Sequence, residues 1–138
     1  MVSLIIGHKG TGKTKHLINE VNNAVENSKG NVICIEKKPK LTYDVTSRAR
    51  LISTEAFGIH GFDAYYGFVS GICAGDNDIT DILADTTLKI GGDDFAQLAE
   101  FLEKVSLLAN ATETRFTFTI SAEEVELPKE IFDFCQKI

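Results

Sequence analysis

Gly7-His8-Lys9-Gly10-Thr11-Gly12-Lys13-Thr14 is the stretch on which the fold of this chain turns. Its spacing is G-x-x-x-x-G-K-[ST], a pattern with chemical meaning only where a buried strand leads in and a helix leads out. Both flanks are present. Val2-Ser3-Leu4-Ile5-Ile6 is a short, β-branched, apolar run suited to a central strand covered on both faces. Beyond the loop, Leu17, Ile18, Val21, Ala24 and Val25 recur at helical spacing and form one apolar stripe.

The glycines of such a turn let backbone N–H groups converge on an anion, and the start of the helix adds its partial positive charge. Gly7, Gly10 and Gly12 permit that approach, and Lys9 and Thr11 complete the loop expected around the phosphates. Lys13 is placed to reach the outer phosphates of a nucleoside triphosphate as a point charge, and Thr14 to set its hydroxyl on a bridging Mg2+. Lys9 and His8 occupy variable positions of the pattern, where solvent-facing loop residues are ordinary. The plain alternative is a Gly-rich strand-to-helix turn that binds nothing.

A chain of 138 residues is long enough for one domain with one proper core. Its 43% hydrophobic and 25% charged content are those of a globular protein. The net charge of −6 repels phosphate polymers and anionic membranes, so either partner needs a local basic patch. One such run exists, Lys37, Lys38 and Lys40 around Pro39, followed by Arg48 and Arg50. As a solvated loop it leaves nucleic acid outside the expected partners. Cys34, Cys73 and Cys135 are odd in number and lie in apolar segments without metal-ligand spacing, which suits reduced core residues. No signal-peptide pattern and no apolar run of membrane-spanning length is present, so the cytoplasm is the expected compartment.

Further along, Gly30 stops the first helix and Val32-Ile33-Cys34-Ile35 reads as a second buried strand, making a βαβ unit. Residues 36 to 49 are polar and loop-like, and Leu51-Ile52-Ser53-Thr54 is a short strand candidate. Phe62, Tyr65, Tyr66, Val69, Ile72 and Cys73 fall at helical intervals, with Gly67 and Gly71 one turn apart, as close packing on a sheet would allow. Core packing is the reading of Tyr65 and Tyr66, base stacking the alternative. Ile79 to Ala84 is a further apolar segment ending at Asp85. Asp93 is a reasonable N-cap for a helix buried through Phe95, Leu98, Phe101, Leu102, Val105 and Leu108. In Arg115-Phe116-Thr117-Phe118-Thr119-Ile120 the alternation of period two suggests a strand nearer the sheet edge. Ser121 with Glu124 forms a capping box, and Pro128 opens a last short helix. Strands alternating with helices predict an α/β fold, a mostly parallel sheet with helices on both faces. Right-handed crossovers then bring the Gly-rich loop to the carboxyl edge, where ligands of such sheets bind.

A phosphate loop of this kind is usually completed by an acid at the end of a neighbouring strand, facing the metal opposite Thr14. Asp85, after Ile82-Leu83-Ala84, is the candidate, and a strand-terminal turn aspartate is its plain alternative. Glu36, at the end of the second strand, is the runner-up. Thr86-Thr87 stand where a water-orienting glutamate would follow Asp85. Arg48, Arg50 and Arg115 are the three arginines from which an arginine finger could come.

Through GHKGTGKT, and through Asp85 as a second acidic motif, the chain resembles the P-loop NTPase superfamily. Taken whole, it also resembles a poorly characterised group of short bacterial ATP-binding proteins, sometimes labelled by similarity to twitching-motility ATPases. Those motors are much longer and ring-forming, with acidic and histidine-containing motifs absent here. The resemblance implies a three-layer sandwich and binding of ATP and Mg2+ by Gly7, Gly12, Lys13 and Thr14. Three functions follow as expectations: weak or partner-stimulated hydrolysis, with a protein partner or a second copy; a small phosphotransferase; or a sensor without turnover. No N-K-x-D or D-x-x-G segment occurs, which favours ATP over GTP.

Overall fold

Val2–Gly7 forms strand β1 and Lys13–Asn27 helix α1, so the Gly-rich stretch is the turn between them in the computed structural model, which describes residues 1–138. The remaining strands are β2 (Asn31–Glu36), β3 (Arg50–Ser53), β4 (Ile79–Ala84), β5 (Arg115–Ser121) and the two-residue β6 (Gln136–Lys137). The helices are α2 (Phe62–Gly75), the short α3 (Thr87–Gly91) and α4 (Phe95–Thr112). The six strands form one sheet in the order β3-β2-β4-β5-β1-β6, and every pairing is parallel. No helix is long and apolar enough to cross a membrane.

Side-chain alternation divides the strands between two cores, as expected for a sheet covered on both faces. Leu4, Ile33 and Ile82 join one cluster with Phe62, Tyr65 and Val69 of α2 and Leu98, Phe101 and Leu102 of α4. Their neighbours Ile5, Val32, Cys34 and Leu83 face the other way, against Leu17 and Val21 of α1. Aromatic rings pin the first layer: Tyr65 stacks on Phe101 at 5.0 Å, and Phe101 meets Phe118 edge-on at 5.6 Å. The α1 layer is thinner. Leu41, Val45 and Ala49, from the irregular segment between β2 and β3, complete it.

Several local expectations are corrected. Strand β5 is central rather than near the edge, paired with β4 and β1; its period-two alternation marks an aromatic face in one core and threonines on the opposite face, where Thr119 is buried rather than wetted. The N-cap of α4 is Asp94, not Asp93, and its side chain accepts from the amides of Ala96 and Gln97. The capping box uses Glu123 and Glu126 rather than Ser121 and Glu124 and opens a 3-10 turn, since β5 runs through Ser121. Gly67 and Gly71 are not in close packing: a Cβ on either would meet nothing within 4 Å. Gly30 is not a left-handed helix stop; helix α1 ends through Ser28, and a Cβ on Gly30 would lie 2.0 Å from the Asp78 carbonyl oxygen.

Candidate functional site

The sheet order puts two strands between which the site is built: β1 delivers the Gly7–Thr14 loop and β4, separated from it by β5, delivers Asp85. Gly10 and Gly12 hold φ angles of 86° and 85°. That region costs an L side chain roughly 1–2 kcal/mol, which explains glycine at both positions. Gly12 is also the N-cap of α1, and no side chain caps the helix. Its first amides therefore keep their hydrogen-bonding capacity for an anion. Thr11 Oγ1 donates to the His8 carbonyl at 2.7 Å and closes the turn from within. His8 itself reaches outward to Glu123, tying the loop to the segment after β5.

Lys13 Nζ donates to the same His8 carbonyl at 2.6 Å, so the ammonium lies back across its own loop. Burial lowers its pKa from the ordinary lysine value, and the Asp85 carboxylate opposes that shift. Thr14 Oγ1 donates to Asp85 Oδ2 at 2.9 Å. The other carboxylate oxygen, Oδ1, accepts from Thr119 Oγ1 at 2.6 Å, and Thr119 Oγ1 in turn accepts from the Thr86 amide at 2.9 Å. Asp85 is thus buried and held by two hydroxyls, one from the loop and one from β5. Thr86, immediately after it, has φ 50°, an outlying conformation for a β-branched residue.

A cavity of about 780 Å3 opens at this edge, lined by Lys9, Gly10, Gly12, Lys13, Thr14 and Asp85 among others. Gly7 and Thr11 shape the loop without lining the cavity. Glu36 lines it too: its Oε1 accepts from the amides of Lys40 at 2.8 Å and Leu41 at 3.2 Å, while Oε2 is buried without a partner. The Oγ1 atoms of Thr86 and Thr87 are likewise buried and unpaired. Orphan polar atoms are rare in folded proteins, and two of the five here, Glu36 Oε2 and Thr86 Oγ1, belong to residues that line this cavity. No group of three or more His, Cys, Asp or Glu gathers as a metal-ligand cluster.

None of the arginines reaches this edge. Arg115 begins β5 at the opposite end of the sheet, pairing with Asp81 through Nε at 3.1 Å. Arg48 pairs with Glu26 near the end of α1, and Arg50 begins β3. Tyr65 is fully buried against Phe101, and Tyr66 carries Lys104 over its ring at 5.3 Å beside a separate cavity of about 380 Å3 between α2 and α4. Neither tyrosine lines the cavity at the loop. Thr119 and Lys89 are site residues that motif reasoning passes over. The signal for Thr119 lies in the polar positions of an otherwise aromatic strand.

No protein-family model matches the chain, and no curated protein matches it.

Proposed function

We propose that this chain binds ATP with Mg2+ at the Gly7–Thr14 loop, as a P-loop nucleoside triphosphatase whose hydrolysis is weak or stimulated by a partner. One observation carries the reading. The hydrogen bond from Thr14 to Asp85 joins, across 71 residues of sequence, the hydroxyl and the carboxylate that the chemistry requires on a metal between the outer phosphates. The uncapped start of α1, the left-handed Gly10 and Gly12 and the buried Lys13 support it. Bound Mg2+ would neutralise charge between the outer phosphates. In this reading the loop amides hold the triphosphate, Lys13 turns from the His8 carbonyl to the outer phosphates, and Thr119 keeps Asp85 aimed at the loop.

Weak turnover rests on what the edge lacks in this chain. Thr86-Thr87 follow Asp85, and no arginine approaches. A group from another protein, or from a second copy, would complete the catalytic set. The kinship implied is with short ATP-binding members of the P-loop superfamily, including those bearing twitching-motility labels. A second reading, a small phosphotransferase, is favoured by the number of lysines around the cavity.

Calorimetric titration with ATP and Mg2+, followed by phosphate-release assays, tests the proposal. Lys13→Ala should weaken triphosphate binding by about tenfold to a hundredfold, the worth of a charge-assisted hydrogen bond. Unchanged affinity in that variant counts against the assignment. Tight binding with no release of phosphate points to a sensor.

A further inference from the structure

Six of the chain's lysines line the loop cavity: Lys9, Lys13, Lys37, Lys38, Lys40 and Lys89. Only two carboxylates, Glu36 and Asp85, line it with them, in a protein whose net charge is −6. None of the six takes part in an ion pair. Like charges gathered without partners destabilise the free protein and attract an anion. Lys13 and Lys9 belong to the loop that would hold the triphosphate. The other four do not.

The placement of Lys37, Lys38 and Lys40 separates them from the loop. Strands lie about 4.8 Å apart, so β2, three places from β1, ends about 14 Å from Gly7 and one strand beyond Asp85. Lys37, Lys38 and Lys40 follow directly on β2, and Lys89 projects from α3 just after Asp85. The lysine turn is also a built structure. Glu36 Oε1 caps the Lys40 and Leu41 amides, and the Lys37 carbonyl accepts from Ser53 Oγ at 2.7 Å and the Glu55 amide at 3.1 Å.

We infer that Lys37, Lys38, Lys40 and Lys89 form a second anion site beside the triphosphate, for a small molecule that carries a phosphate group. This rests on nucleotide binding at the Gly7–Thr14 loop and names the class of ligand that would bind beside the nucleotide. A polynucleotide fits less well, because the basic residues do not continue as a track. Arg48 is paired with Glu26 near the far end of α1, and Arg50 and Arg115 begin strands at the opposite edge of the sheet.

The test uses the protein saturated with Mg2+ and a non-hydrolysable ATP analogue, titrated with inorganic phosphate and followed by phosphorus NMR and calorimetry. One phosphate should bind per chain. In Lys38→Gln/Lys40→Gln/Lys89→Gln, where all three side chains are exposed, its affinity should fall by about tenfold or more while nucleotide affinity stays within about threefold. Phosphate that fails to bind the nucleotide-loaded protein, or binds the triple variant equally well, overturns the second site and leaves the first standing. Nucleotide that fails to bind overturns both. A single-stranded oligonucleotide that binds more tightly than phosphate and is lost in the same variant overturns the small-molecule assignment in favour of nucleic acid.

Discussion

Thr119→Val is the substitution that most directly probes how the acid of the site is held. The change keeps the shape of a residue only 2% exposed and removes a hydroxyl that both donates to Asp85 Oδ1 and accepts from the Thr86 amide. A hydrogen bond to a charged group contributes about 1.5–3 kcal/mol, and a buried amide left unpaired costs about 1–3 kcal/mol. The two losses share one atom and are not additive, so about 2–4 kcal/mol is the expected destabilisation. For a chain of this size that corresponds to a fall in Tm of roughly 8–16 °C. Urea denaturation should show it as a lowered midpoint at unchanged slope. Thr119→Ser restores the hydroxyl and loses only a methyl, at about 1 kcal/mol. Valine and serine variants of equal stability would refute the role given to Thr119, because serine keeps the hydroxyl and gives up only a methyl, whereas valine keeps the shape and gives up the hydroxyl.

Asp85→Asn should abolish the Mg2+ dependence of nucleotide binding; a metal titration identical to wild type moves the role to Glu36. Gly30→Ala should destabilise by about 1–3 kcal/mol, since the added Cβ would press on the Asp78 carbonyl oxygen and backbone must shift to admit it; an unchanged urea midpoint contradicts that crowding. Burial, with Glu36 and Asp85 nearby, pushes the Cys34 thiol up to about 12, and burial alone does so for Cys135. The neutral thiols then contribute stability that is complete below the ordinary cysteine value of 9.0 and is lost as pH rises from there toward 12. Unfolding free energies from urea titrations on either side of the cysteine value should fall more steeply with pH for wild type than for Cys34→Ala, by up to about 1.4 kcal/mol per pH unit. Parallel slopes would show that the folded thiol ionises normally.

The first βαβ unit is legible in the chain because each of its parts is specified locally: an apolar run, a glycine pattern, a stripe of period 3.6. Asp85 is legible for the same reason, as the residue after an apolar strand. Thr119 is not. A threonine alternating with phenylalanines looks alike whether it faces water or a buried aspartate, and only the pairing of β5 between β4 and β1 decides which. The lysines show the same limit. Lys37, Lys38 and Lys40 form a visible run, but their company with Lys89 depends on β2 and β4 lying side by side. Arg115 is the converse case, since its position at the start of β5 removes it from the edge where an arginine would matter. Asp93 and Ser121 show how a cap shifts by a residue or two when a neighbouring side chain offers better geometry.

The turn bearing Lys37, Lys38 and Lys40 runs straight into Leu41, Val45 and Ala49, which roof the thinner of the two apolar layers. Grip and roof are therefore one piece of chain. A negatively charged guest that fastens the lysines would also clamp that roof against Leu17 and Val21 beneath, so occupancy would be felt as slowed amide exchange along residues 42 to 49, beyond the turn that holds the guest.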